Sequence, residues 1–434
     1  MNDKHISIKI IEDNDLCISC GSCTHICPFD NIFMEYIEIR GKYDAVVQDE
    51  DVCLNCNGMK NCLAVCPSYN VNYEALAFSS ENNFLGKIEN VYNGYSKNTN
   101  SRYKASSGGF IRTLGKELLE KKVIDGIITI THDKGLDYTP KIITDVDMMP
   151  TSIYHNINYD NAIELLMNND GKYLLIGLPC QITSIEQFTE KKKYKYLHER
   201  IYAKVTLICG YTFDRTNMEF FESINNFSMD TISYRENGRY RKTRISNYNS
   251  SILFDVYNPS TVNENINNAL MFDKWMPQKH CLYCVDHMGY CADIVVGDAW
   301  QKRYKEDKVG TNIVVTRTKH GDNIVKDLES IFLEEGYLSE IEESQHMYAK
   351  PFLGLSIAKE NFYKDEFVVK HILSNNEDTD VTFISFSLKD KIKIRFLKRI
   401  LRKKYFLVAK YIFVLLEFKV IGKRIVKRIL GRKI

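Results

Sequence analysis

Apolar residues along the chain switch between two spacings. Phe110, Leu114 and Leu118 recur at the interval of a helix face, and residues 123–130, VIDGIITI, follow as a β-branched run of strand length. Similar runs stand at residues 173–178 (YLLIGL), 201–209 (IYAKVTLIC) and 292–297 (ADIVVG). Such alternation predicts an α/β sheet with helices on its faces. Residues 212–268 are polar and rich in Asn and Tyr, and they predict no clear element. In residues 388–434, apolar positions return at near-helical spacing among Lys and Arg, with Ile394, Leu397, Leu401 and Val408 able to share a face. This predicts basic amphipathic helices. Their most apolar part, residues 405–418, contains Lys410 and Glu417 and falls short of the roughly 20 residues that span a bilayer.

Charge separates that tail from the rest. The 434-residue chain has a net charge of +2, yet residues 388–434 hold 17 Lys and Arg against the two acids Asp390 and Glu417. The remainder is therefore acidic, a poor match for nucleic acid, and no nucleic-acid motif is present. A basic amphipathic tail fits an anionic membrane surface; a helix docked on its own domain or on a partner fits the same pattern. The opening residues, MNDKHISIKIIEDND, lack an apolar stretch and a small-residue cleavage site. A cytoplasmic setting is expected, peripheral to the inner face of the membrane if the tail lies on it.

Cysteine usage adds the chemistry. Of 13 cysteines, Cys17, Cys20, Cys23 and Cys27 precede Pro28, and Cys53, Cys56, Cys62 and Cys66 precede Pro67. The first run, C-x2-C-x2-C-x3-C-P, is the bacterial ferredoxin arrangement, in which the fourth thiolate of each run crosses to the other cubane. Cys17, Cys20, Cys23 and Cys66 are thus expected to hold one 4Fe-4S cluster, and Cys53, Cys56, Cys62 and Cys27 the other. The second run departs from the pattern, with five residues between Cys56 and Cys62, where Gly58 suits a local bulge. Structural zinc also takes thiolates, but zinc pairs require neither the triplet nor the following proline. A disulfide framework does not suit a chain expected in a reducing compartment.

Cys180 follows the strand-like YLLIGL and Pro179, and Cys209 closes IYAKVTLIC, so both fall at strand carboxyl ends, the rim where open α/β sheets bind ligands. Cys281 and Cys284 add a C-x2-C pair. These four suffice for a third cluster, but buried apolar cysteines give the same pattern, and Cys291 is either spare or a substitute ligand. Ser106, Ser107, Gly108 and Gly109 precede the Phe110 helix, where small residues let backbone amides approach a phosphate; alone they also read as a plain helix cap. Asp298 ends the ADIVVGD segment, where a carboxylate can contact ribose or a flavin ring or simply cap a turn.

Together these segments resemble the coenzyme F420 hydrogenase/dehydrogenase beta-subunit family. The resemblance rests on Ala105-Ser106-Ser107-Gly108-Gly109-Phe110, Ile176-Gly177-Leu178-Pro179-Cys180-Gln181-Ile182, Cys209-Gly210, Cys281-Leu282-Tyr283-Cys284 and residues 292–300, and it covers about residues 90–345. It implies FAD and a further 4Fe-4S cluster on Cys180, Cys209, Cys281 and Cys284, with Ser106, Ser107, Gly108, Gly109, Asp293 and Asp298 as flavin contacts. The family includes deazaflavin-oxidising subunits and chlorophyll-pathway reductases. Leu178, where a small polar residue is usual, and the segment from Tyr234 to Arg239 depart from its pattern, so a deazaflavin partner is not carried over.

The expected organisation is an α+β two-cluster ferredoxin unit (residues 1–83, with 79–83 as linker), beta-subunit-like regions at 84–170 and 171–345 forming an α/β flavin and iron-sulfur domain, a connection at 346–387 and the tail. The expected activity is a flavin-dependent iron-sulfur oxidoreductase. It takes electrons from a ferredoxin-like or reduced-coenzyme donor and acts on a small organic substrate, with Asp298, His287 and Tyr283 as candidate acids near the flavin. The alternative is an electron-transfer subunit without a substrate site of its own.

Overall fold

The computed structural model describes residues 7–345 except 55, 57–60, 70, 72–84, 236–241, 256–263, 265–266, 268–276 and 285. The linker at 79–83, the segment around Gly58, the connection at 346–387 and the basic tail lie outside the described residues.

The cysteine-rich N-terminal unit folds around an antiparallel hairpin, β1 (Ile32–Ile37) and β2 (Lys42–Val47), flanked by short helices Lys9–Asp13, Ser22–Ile26, Glu50–Leu54 and Asn61–Ala64. Ile8, Ile11, Leu16, Ile32, Ala45 and Leu63 form its core, together with Cys17, Cys23 and Cys66.

The rest is built on one eight-stranded sheet. Its strands are β3 (Asn90–Ser96), β4 (Gly126–His132), β5 (Tyr138–Ile143), β6 (Tyr173–Gly177), β7 (Ile201–Leu207), β11 (Ile294–Asp298), β12 (Asn312–Thr316) and β13 (Ile331–Glu335). They lie in the order β13-β3-β12-β11-β7-β6-β4-β5. The four central strands, β11, β7, β6 and β4, are parallel, and antiparallel pairs close both sides. Both regions expected at 84–170 and 171–345 supply strands, so the boundary between them does not divide the sheet.

The central strands are mostly buried on both faces, which is why they read as largely apolar runs. Ile127 and Leu174 point to a core shared with Phe110, Leu114 and Leu118 of the helix Phe110–Glu120. Their neighbours Ile128 and Leu175 point the other way, to a core with Ile163 of Asn161–Asn168 and Ile182, Ile185 and Phe188 of Pro179–Thr189. Ile26 and Val65 of the N-terminal unit join this second core. Each fully buried side chain of this size contributes about 1.5–3 kcal/mol, so the ferredoxin-like unit is anchored by burial as well as by polar contacts.

The segment 212–268, which predicted no element, holds the helix Thr216–Asn225 and an antiparallel sheet of β8 (Thr231–Ser233), β9 (Lys242–Ser246) and β10 (Ser251–Asp255). Ile232, Thr243, Ile245 and Phe254 are its buried members, too few and too scattered to stand out from their polar neighbours.

Candidate functional site

The two units meet along a polar seam. Ser19, between Cys17 and Cys20, has φ of 61°, a left-handed conformation that a non-glycine residue adopts only under constraint. The constraint is visible: its carbonyl accepts from the Tyr159 amide (2.9 Å), its hydroxyl donates to Tyr43 O (2.6 Å) and accepts from Asn156 Nδ2 (2.7 Å). This fixes the Cys17–Cys20 loop, where the Ser19 amide donates to Cys17 Sγ at 3.4 Å. Beside it, Asp160 Oδ1 accepts from Thr24 at 2.7 Å and lies 2.9 Å from His25 Nε2.

The thiols fall into three groups. Cys23 and Cys66 each feel Cys17 and Cys20, and Cys23 also feels Cys66. A small cavity between them is lined by Cys17, Cys20, Cys23 and Cys66 with Ile8, Ile11, Ile18, Gly21 and Ala45. Cys53 feels Cys27 and Cys56, and Cys62 feels Cys53 and Cys27. Cys180 feels Cys209, Cys284 and Cys281, and Cys284 feels Cys281 and Cys209. Each group has the tetrathiolate donor set of a 4Fe-4S cluster.

Burial pushes Cys17 up to about 12, with Asp44 adding and Lys42 opposing, and Cys62 up to about 11; Cys23, Cys66, Cys180 and Cys284 are raised by burial and then by charged neighbours, mostly other thiols. Crowded thiols of this kind ionise when a bound cation compensates them, which couples cluster binding to folding. The group of Cys27, Cys53, Cys56 and Cys62 is half-exposed, as is that of Cys180, Cys209, Cys281 and Cys284, whereas Cys17, Cys20, Cys23 and Cys66 are buried. Cys20 is also an electrostatic neighbour of Cys180 and lies within hydrogen-bond reach of Ser184, one turn further along the same helix. The first group thus faces the third.

Cys291 stands apart. It is buried beside Thr183 (3.6 Å), and its charged neighbours are Asp286, Glu186 and Lys204 rather than the other thiols.

A cleft of about 1460 Å³, including its open mouth, lies at the carboxyl ends of β4, β6, β7 and β11. Ser106, Ser107, Gly109, Cys209, Arg235 and Asp298 are among its lining residues, with an apolar wall from residues such as Ile130, Leu178 and Ile208. Neither serine caps the following helix. Ser106 Oγ accepts from the Ser152 amide, Ser107 Oγ donates to Thr311 O, and the Phe110 amide is taken by Asn312 Oδ1. Gly108 is turned to the sheet instead of the cleft. A Cβ there would sit 2.6 Å from Asn312 Oδ1 and 2.9 Å from Asn312 N, so glycine permits close approach to β12.

Asp293 does not belong to the cleft. It precedes β11, whose far end carries Asp298, and five residue steps of extended chain separate the two by roughly 16 Å. Its carboxylate accepts from the Lys204 amide and Thr318 Oγ1, both at 2.8 Å, so it ties β7 to the segment that follows β12. His287 is likewise engaged: Nδ1 faces Cys209 O at 2.7 Å, and its own carbonyl accepts from the Cys209 amide. Tyr283 ends the helix Lys279–Tyr283.

Arg235, unassigned by sequence, reaches the cleft from the small sheet. The preceding Tyr234 is buried, with its hydroxyl 2.7 Å from His155 Nδ1 and its carbonyl accepting from Thr243 Oγ1. The departure of this segment from the family pattern was its one sequence signal. Glu186, Glu190 and His198 also bring ligand atoms within 4.8 Å of one another, but Glu186 already pairs with Lys204 at 2.8 Å. No described helix is long and apolar enough to cross a membrane.

A cysteine-ligated redox unit joined to a mixed α/β domain with a rim cleft defines an iron-sulfur oxidoreductase component. The chain belongs to the coenzyme F420 hydrogenase/dehydrogenase beta-subunit family: residues 170–342 match the carboxyl-terminal part of that family's beta subunit, and residues 91–152 match the amino-terminal part. Residues 16–70 match the 4Fe-4S dicluster domain. The chain is also 36% identical over 63 residues to an uncharacterized ferredoxin of Methanocaldococcus jannaschii, covering 14% of this chain and 74% of that protein. A solved chain from the F420-reducing NiFe hydrogenase complex of Methanosarcina barkeri is similar over 65% of this chain and 94% of its own, at 16% identity and a TM-score of 0.49.

Proposed function

We propose that this chain is the electron-transferring component of an iron-sulfur oxidoreductase, working as a subunit with a redox partner. The half-exposed Cys27 group takes electrons in, the buried Cys17 group relays them, and the group of Cys180, Cys209, Cys281 and Cys284 delivers them to the cleft. The observation that carries this is Cys209, which belongs both to the third thiol group and to the cleft wall. Membership in a family described as beta subunits favours a partner.

A second, finer reading gives the chain its own chemistry: FAD in the cleft, acting on a small organic substrate. The apolar wall of the cleft favours it, with Ser106, Ser107, Gly109 and Asp298 at hand for the flavin. Bound there, a flavin couples one-electron and two-electron steps. The protein's own part is to place it, shield it from water and bring Arg235 and Asp298 to its edge. A membrane-peripheral, cytoplasmic setting belongs to the same proposal and rests on the sequence of the tail.

Anaerobic purification with iron, sulfide and flavin analysis tests both readings. About twelve irons per chain support three clusters, and about one flavin supports the second reading. Cys180→Ser is expected to lower iron to about eight; an unchanged count removes the third site. Dye reduction that requires a co-purified partner supports the first reading, and turnover by the isolated chain supports the other.

A further inference from the structure

A line of hydrogen bonds with fixed directions runs to the third thiol group from Ser19, whose own amide donates to Cys17 Sγ of the first. The Tyr43 amide donates to Asn156 Oδ1 at 2.9 Å, and since a backbone amide can only donate, the other end of Asn156 is Nδ2. That nitrogen donates to Ser19 Oγ at 2.7 Å and to Gln278 Oε1 at 3.4 Å. Gln278 must then present Nε2 on its other side, which donates to Thr212 Oγ1 at 2.8 Å. Thr212 Oγ1 accepts, so its own hydrogen is left to point elsewhere, and Cys281 Sγ lies 3.7 Å away. Ser19, Asn156 and Gln278 are buried, so water does not compete for these groups.

We propose that Thr212, aimed by Gln278 and Asn156, donates its hydroxyl hydrogen to the Cys281 thiolate and so raises the reduction potential of the third cluster. The inference rests on the reading of Cys180, Cys209, Cys281 and Cys284 as cluster ligands. Reduction adds negative charge to the cluster, and a donor directed at its sulfur stabilises that charge; hydrogen bonds to sulfur are among the factors that set cluster potentials. Thr212 is a positioning residue here. Gln278 also holds its backbone, the Gln278 amide donating to Thr212 O at 2.9 Å.

The test is an anaerobic redox titration of the full chain, followed by electron paramagnetic resonance, with the third cluster's signal identified as the one lost in Cys281→Ser. Thr212→Val is expected to move that midpoint to lower potential and leave the ferredoxin-unit midpoints in place, and Thr212→Ser to restore it. Should Thr212→Val fail to assemble, Thr212→Ala decides: it removes the hydroxyl without adding charge or a branched side chain, so the midpoint must fall. Twelve irons with an unmoved midpoint, or an equal shift of all three signals, overturns the role of Thr212 while the ligand assignment stands. Eight irons in the unaltered chain overturns both.

Discussion

Arg235 grips Asp298 with two hydrogen bonds, 2.5 Å from Nη1 to Oδ2 and 3.1 Å from Nη2 to Oδ1, and so ties the small sheet to the end of β11. Both side chains line the cleft and are largely withdrawn from water. Removing one member of such a pair strands a charge, at about 3–5 kcal/mol, whereas replacing both with apolar groups is often neutral. Arg235→Met is therefore expected to lower unfolding free energy in anaerobic urea titrations by about 3 kcal/mol. Adding Asp298→Leu should recover most of the loss; additive losses would sink the pairing.

Gly21 has φ of 76°, and a Cβ there would lie 2.2 Å from Asp160 Oδ1 and 2.4 Å from Asp160 Cα. Gly21→Ala therefore combines backbone strain with a clash against backbone on the opposite side of the seam. The expected loss is at least about 2 kcal/mol, with the N-terminal unit becoming the first to be cut by protease. Unchanged proteolysis would mean that the seam tolerates the shift.

His155 is buried; Nε2 donates to Leu136 O at 2.9 Å, leaving Nδ1 to accept from the Tyr234 hydroxyl. Burial first, and then the charge of Arg215, lower its pKa from 6.5 to about 3. The unfolded chain therefore binds this proton below pH 6.5 while the folded chain refuses it. Stability from this group is fully present above pH 6.5 and is lost on acidification down to about pH 3, at up to about 1.4 kcal/mol per pH unit. His155→Gln should flatten the fall in urea midpoint between neutral pH and pH 5; the same slope in both proteins would refute the assignment.

Lys42 Nζ lies 2.8 Å from Asp15 and 3.2 Å from Asp44, and donates to Cys17 O at 3.1 Å. A buried cation beside the first thiol group favours added negative charge there. Lys42→Met is expected to lower the midpoint of the cluster proposed for Cys17, Cys20, Cys23 and Cys66 and to leave that of the Cys180 group in place. Redox titration with spectroscopic detection separates the two.

The central strands were legible because burial on both faces favours largely apolar runs, and Cys180 and Cys209 were placed at the rim by those same runs. The sequence expectation ended the third run at Cys209, but β7 stops at Leu207 as the chain turns into the cleft. Asp293 was misplaced because sequence adjacency to Asp298 hides the fact that a strand has two ends. The small sheet stayed unread, since its strands are short and mostly polar, and with it Arg235. Asn156, Gln278 and Thr212 have no local signature at all; their roles arise when segments more than 50 residues apart in the chain meet, with separations of 122 and 66 residues along that line.

Among the described residues, every residue lining the cleft comes from position 105 onward, while the group of Cys27, Cys53, Cys56 and Cys62 sits in the first 62. A redox partner at the N-terminal unit and a ligand in the cleft would therefore occupy different ground. Neither has to leave before the other arrives, so their effects on rate should be independent rather than competitive, and the protein can be charged with electrons before its cleft is filled.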